Sequence, residues 1–213
     1  MKWNKELAYF LGFFWADGYL WSDEKSGQYR IVLENVSEDL ESILPFFESI
    51  GHFSLFRRWR PNSTKEVLRA TMYNKKLYKW LMANGYDNKL SSHSVLAVIP
   101  KKYQNHFWRG LFDGDGCFGI YKRKTRNSTD YRCELVSDIE QDWSSLARVC
   151  KQLKIKHSIY KRTNPHNFSS FYIGRIDDMI KFGRFLYRGA SLVQLERKYK
   201  KFLQIKTYAR LVR

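Results

Sequence analysis

The 213-residue chain carries 38 Lys and Arg against 21 Asp and Glu, a net charge of +17, with 44% hydrophobic and 17% aromatic residues. So much apolar side chain excludes global disorder, and so large a positive charge resists compaction unless a polyanion neutralises it, which points to nucleic acid. On charge alone a basic ribosomal-type or membrane-surface protein is the competing class.

The chain opens with Lys2 and Lys5 ahead of an apolar run from Leu7 to Ala16, which mimics a secretory signal. Glu6, the lack of a small-x-small cleavage site and recurrence of the run inside the chain argue that it belongs to the fold. The expected location is therefore intracellular, with no membrane span, since about fifteen residues interrupted by Asp17 are too few to cross a bilayer. A first half, residues 1–90, reads as a helix over 5–16, strands at 19–22 and 28–34, and a helix from Ser37-Glu38-Asp39 to about Ile50. Strands at 52–59 and 66–73 follow across Pro61, then a helix from Lys75 to Asn84 stopped by Gly85. Residues 91–102 connect to a second half, 103–213, with helices at 103–113, 141–153, 177–187 and about 191–205, and strands at 117–123, 130–137, 156–162 and 169–176. Pro61 and Pro165 fall at matching hairpin turns, and Lys124 to Thr129 lengthen one hairpin tip of the second half.

Cys117, Cys133 and Cys150 have no zinc-ligand spacing and cannot all pair, which favours a reducing compartment and makes the sequons at Asn62, Asn127 and Asn167 chance matches. The five His do not cluster in the sequence, and His106 reads as structural. The Trp residues fall mostly at core positions, with Trp21 and Trp59 as candidate exceptions.

The strongest feature is internal. Residues 7–18, LAYFLGFFWADG, and residues 105–116, NHFWRGLFDGDG, align at an offset of 98 for both Gly12/Gly110 and Asp17/Asp115. Glycine inside a helix costs about 1 kcal/mol relative to Ala, so its retention twice indicates close approach of two backbones. If the two helices pack together, Asp17 and Asp115 emerge side by side at their C-terminal ends. Two adjacent carboxylates repel unless a cation lies between them. Carboxylate, phosphate and water oxygens suit Mg²⁺, and the chemistry that follows is metal-assisted phosphodiester hydrolysis. Either Asp-Gly alone is an ordinary turn; the matched pair is not.

Leu11-Gly12-Phe13-Phe14-Trp15-Ala16-Asp17-Gly18 and Arg109-Gly110-Leu111-Phe112-Asp113-Gly114-Asp115-Gly116 resemble two copies of the LAGLIDADG homing-endonuclease motif. The first copy departs from it by carrying Trp15 where the family often has an acid. The resemblance implies an α+β fold of two pseudo-symmetric α-β-β-α-β-β-α halves, packed through the motif helices, with antiparallel sheets forming a DNA-binding saddle. It implies metal sites at Asp17 and Asp115, with Ala16 and Gly114 beside them, occupied by Mg²⁺ with Mn²⁺ as a substitute. A polar residue near the attacking water is expected at Asn35, and in the second half at Ser137 or Asp138. Lysines near the scissile phosphates are expected at Lys89 and Lys198, with Arg197 as the alternative to the latter.

Strand alternation supplies the binding face. Phe53, Leu55, Leu68, Ala70 and Met72 are read as inward. Arg30, Ser54, Phe56, Arg58, Arg60, Arg69 and Thr71 are read as outward, as are Tyr121, Arg123, Arg132, Tyr160, Arg162 and Arg175, with Lys124 and Arg126 at a hairpin tip. These side chains are expected to contact DNA, Arg at base edges and the tip cations at phosphates. The expected activity is site-specific, metal-dependent cleavage of both strands of a long, near-palindromic duplex target by a monomer, leaving short 3′ overhangs, from a free-standing or intron-encoded protein. The alternatives are an intron RNA maturase, for which the sequence offers no RNA-binding appendage, and a non-cleaving DNA-binding regulator on the same fold, against which the retained acids favour the enzyme.

Overall fold

The computed structural model describes residues 2–59, 65–122, 129–165, 167–191 and 193–211. Every residue from Leu7 to Trp15 is buried, so α1 (Lys5–Asp17) is a core helix rather than a surface one. Its partner is α5 (Gln104–Asp115), buried from Asn105 to Asp113. The two lie backbone against backbone. A Cβ on Gly12 would sit 1.8 Å from the Phe107 carbonyl oxygen, and one on Gly110 would sit 2.1 Å from the Tyr9 carbonyl oxygen. Each glycine is thus the contact point of the opposite helix.

Each motif helix leads into a four-stranded antiparallel sheet. The first contains β1 (Gly18–Asp23), β2 (Gln28–Val36), β3 (Ser54–Trp59) and β4 (Glu66–Tyr73) in the order β1-β2-β4-β3. The second contains β5 (Gly116–Lys122), β6 (Thr129–Ser137), β7 (Ser158–Arg162) and β8 (Phe168–Ile173) in the order β5-β6-β8-β7. The inner faces, with Ile31, Leu33, Leu68 and Ala70 in one sheet and Cys133, Leu135, Phe171 and Ile173 in the other, are buried. The α+β architecture and its duplication are as the sequence predicts.

Some boundaries differ, for local reasons. The helix expected to reach Ile50 is α2 (Ser37–Ile43) followed by a 3₁₀ turn at Leu44–Phe47, because Pro45 lacks an N–H and tightens the chain there. The helix expected over 141–153 is α6 (Ser144–Gln152), since the Asp142 side chain accepts the Ser144 N–H at 2.8 Å and sets the start. Helix α3 (Lys75–Ala83) has its Asn74 cap, and α7 (Ile176–Tyr187) follows β8. The 91–102 connection holds a short helix, α4 (His93–Val98), hidden in the sequence by its serine-rich start. The last helix, α8 (Glu196–Leu211), begins later than expected because Val193 to Leu195 stay non-helical to bond with α5. Leu55 faces the same side as buried Ala70 but is 55% exposed, because β3 is an edge strand reaching past the helices. Pro61 and the tip residues 123–128 lie outside the described residues.

Candidate active site and nucleic-acid face

Asp17 and Asp115 are the last residues of α1 and α5, each followed by an extended glycine. Gly114 makes their approach possible. A Cβ there would lie 2.2 Å from the Ala16 Cβ and 2.8 Å from an Asp17 carboxylate oxygen. The structure therefore brings Ala16, Asp17, Gly114 and Asp115 together, as the motif spacing predicts. Carboxylates at helix C-termini also face the negative end of each macrodipole. Burial, and then the charge of Asp115, push the Asp17 carboxyl up to about 7, while Lys198, Asn35 and Lys89 oppose the rise. Asp115 is raised as well, by the desolvation its packed surroundings impose, while Lys198 and Lys89 oppose the rise.

Two lysines converge on these helix ends. Lys198 is buried and donates to the Phe112, Asp113 and Gly114 carbonyls, capping the C-terminus of α5. Lys89 donates to the Gly18 carbonyl at 2.6 Å from a left-handed backbone with φ +52°. Burial lowers the pKa of both amines, with the acids pulling the other way. Asn35 donates to Asp17 at 2.8 Å.

The register settles its counterpart. Gly18 pairs with Leu33 and Gly116 with Leu135, so two residues on, Asn35 corresponds to Ser137. Asp138 is a correction: it lies past the end of β6, exposed, with its carboxylate accepting the Glu140 N–H. Ser137 instead donates to Gln141, a residue the sequence reading passed over. Also missed was the pairing of Arg197 with Asp39 of α2, which takes Arg197 away from the role of alternative to Lys198.

Beneath the acids lies a buried polar network. Asp113, fully buried, accepts from the Tyr9 hydroxyl and the Leu195 N–H, both at 2.8 Å. Arg109, also fully buried, donates to the Val193 and Leu186 carbonyls and lies over the Tyr9 ring. Burial raises Asp113 to about 6 and lowers Arg109. Arg109→Ala strips the cation from a buried acid and leaves two carbonyls without a donor. It should cost about 3 kcal/mol or more and lower the melting temperature by about 10 °C in a thermal melt. His106, with burial and neighbouring Arg109 holding it near 4, is a neutral structural residue.

The outer sheet faces carry most of the predicted contacts. Arg30 lies 4.2 Å over the Trp21 ring, which is 40% exposed. Arg58 and Arg69 both bond Glu34, at 2.6 and 2.9 Å. In the second sheet Tyr121, Arg132, Tyr160 and Arg162 line a trough of about 830 Å³ with Glu134 and Asp130. The face is thus mixed in sign, since Glu34, Glu134 and Asp130 share it with the arginines. Arg175 is a second correction. Strand β8 ends at Ile173, and Arg175 joins Lys156, Lys181 and Arg184 beside α7 instead of the sheet face. Arg60, Arg123, Lys124 and Arg126 lie outside the described residues. Trp59, 65% exposed, is on the edge strand. Among the described residues no three His, Cys, Asp or Glu side chains converge on a metal position, and no helix is long and apolar enough to cross a membrane.

Comparison with known proteins agrees with this geometry. The family model described as LAGLIDADG endonuclease matches residues 108–209. Among solved structures, I-DmoI in complex with DNA and Ca is 22% identical, with a TM-score of 0.61 over 94% of this chain and 97% of that one. I-SmaMI bound to uncleaved DNA in the presence of calcium is 12% identical, with a TM-score of 0.62 over 99% and 92%. The LAGLIDADG homing endonuclease I-GzeII in complex with its DNA target is 13% identical, with a TM-score of 0.63 over 99% and 91%. At these identities the likeness establishes a common fold. No curated protein matches the sequence.

Proposed function

We propose that this chain, a two-motif member of the LAGLIDADG family, is a site-specific DNA endonuclease that makes metal-dependent double-strand breaks as a monomer. The observation that carries this is the pair Asp17 and Asp115, held together by Gly12, Gly110 and Gly114 at a position where their charges repel. Retaining two such acids costs stability, which fits a site that takes up a cation. With only two carboxylates present, the remaining ligands would be water and phosphate oxygens, a set suited to Mg²⁺ or Mn²⁺. Similar folds were solved with Ca, or for an I-DmoI variant in the presence of Mn. When bound, such an ion activates water and stabilises charge on the phosphate.

The chain's own residues supply the rest. Asp17 and Asp115 hold the cations, Asn35 orients the Asp17 carboxylate, and Ser137 stands at the equivalent place in the other half. Lys89 and Lys198, already aimed at the helix ends, offset charge developing on the two scissile phosphates. The sheet faces, with Arg30, Arg58, Arg69, Tyr121, Arg132 and Arg162, are the duplex-reading surface. Both motif helices come from one chain, so the site needs no second copy. The protein thereby acts where the host DNA is, on a long near-palindromic target cut to short 3′ overhangs. Intact acids favour this reading over a non-cleaving regulator.

Selection of cleaved sequences from a randomised duplex library in Mg²⁺ tests the proposal. Recurrent cuts at one long sequence are expected; specific duplex binding with no cut would instead indicate a regulator, and preference for structured intron RNA a maturase. Glu34 offers a check on the reading face. Glu34→Gln removes a carboxylate from between Arg58 and Arg69, so duplex affinity should rise and the slope of log affinity against log salt should steepen by about one. A binding titration over several salt concentrations measures it.

A further inference from the structure

The two lysine segments are each gripped by the opposite half of the molecule. Lys198 follows Arg197, whose guanidinium forms a two-pronged pair with the Asp39 carboxylate, its Nε at 2.6 Å from Oδ1. Asp39 lies on α2 of the first half and is almost fully buried. Lys89 precedes Leu90, whose carbonyl accepts from the Gln141 side chain and the Asp142 N–H, both at 2.7 Å. Gln141 is buried and fixed in turn by the Ser137 hydroxyl at 3.0 Å.

Asp39 and Gln141 fall at the same count along their halves, Asp39 inside α2 and Gln141 in the loop before α6. Each stands four residues beyond a polar residue at the far end of the second strand, Asn35 (next to last in β2) and Ser137 (last in β6), which the sheet register makes correspond. The pattern therefore occurs twice with different chemistry, a carboxylate receiving a guanidinium in one half and an amide donating to a carbonyl in the other. The Lys89 backbone, at φ +52°, is in a left-handed conformation that a non-glycine residue keeps only when its surroundings fix it. The grip on Leu90 holds it from one side, and the Lys89 N–H to the Gly85 carbonyl at 3.0 Å from the other.

We propose that Asp39 and Gln141 are positioning residues, each reaching across from one half to hold the lysine of the other half's active site. The proposal rests on the endonuclease reading for its consequence, though not for its geometry. Since each residue serves one lysine, loosening one should disturb one strand cut and leave the other.

Two measurements on the full chain test this. In the first, the metal-free protein is methylated with formaldehyde and a borane reductant, and each lysine is read by mass spectrometry. Asp39→Ala should raise the reactivity of Lys198 several-fold and leave Lys89 unchanged; Gln141→Ala should do the reverse. In the second, each strand of the selected target is end-labelled and its cleavage timed. Asp39→Ala should slow one strand by about ten-fold and Gln141→Ala the opposite strand, so that nicked duplex accumulates. Asp39→Asn, which keeps an acceptor for Arg197, should lie between wild type and Asp39→Ala. Equal changes at both lysines, or both strands slowed alike, would mean a general structural role and overturn the proposal. If the wild-type protein cut no DNA, the endonuclease reading would fail, while the crossed lysine pattern would still decide whether the grips exist.

Discussion

Gly12→Ala should unfold the protein at moderate temperature or leave it folded with its two halves displaced. The added methyl would lie 1.8 Å from the Phe107 carbonyl oxygen and 2.9 Å from the Leu111 nitrogen, and both are helix backbone that no rotamer change can move. The helices must therefore separate along a contact that is fully buried on both sides. Overpacking a core usually costs about 1–3 kcal/mol, and a clash between two backbones belongs at or above that upper end. Against a total stability of about 5–15 kcal/mol this is a large loss. Any surviving folded protein would hold Asp17 and Asp115 farther apart, so cleavage should fall more than stability alone explains. Gly110→Ala meets the Tyr9 carbonyl oxygen at 2.1 Å and should behave alike. Chemical denaturation of the two variants beside wild type checks the first part, and cleavage at matched folded concentration the second.

Asp17→Asn should act on stability and activity in opposite directions. The Asp17 carboxyl, raised from 3.8 to about 7 in the folded metal-free protein, keeps a proton that the unfolded chain has already released. Between about pH 4 and 7 the folded state binds more protons, so its stability falls as pH rises through that window and levels off above it. At 1.36 kcal/mol per pKa unit the full shift would give about 4 kcal/mol; partial exposure to water reduces this to about 2 kcal/mol. The neutral amide escapes the loss. Metal-free Asp17→Asn should therefore be more stable than wild type at pH 8 by about 2 kcal/mol and no more stable at pH 4, while its cleavage rate drops by at least about a hundred-fold, the scale of losing one preorganised charge. Adding Mg²⁺ or Mn²⁺ should raise the wild-type melting temperature and leave that of the variant nearly unchanged. Melts across pH, with and without the divalent ion, measure both.

Much of this was legible before any coordinates. The repeated Gly and Asp at one offset placed the helix contact and the acid pair, because a backbone contact tolerates only glycine and leaves that mark in the sequence. Alternation in β2 and β4 gave the faces of the sheet. What could not be read depended on distance along the chain. Asn35 and Asp17 lie at the base of one hairpin and hydrogen-bond, but the choice between Ser137 and Asp138 needed the strand register, which the longer β5–β6 hairpin shifts relative to the first half. The buried roles of Arg109 and Asp113 could not be read, since a sequence does not show that all faces of α5 are covered. The Asp39–Arg197 pair spans 158 residues and leaves no local trace. Arg175 was misplaced because a strand pattern was continued past Gly174, where the chain turns into α7.

The most direct test of the central claim is cleavage of the selected duplex by wild type, Asp17→Asn and Asp115→Asn, with Mg²⁺, with Mn²⁺ and with chelator. The account predicts that wild type cuts both strands at one site only when a divalent ion is present, and that neither variant makes the double-strand break although both still bind the duplex. Cutting that persists in chelator, or that survives the loss of either acid, would contradict it.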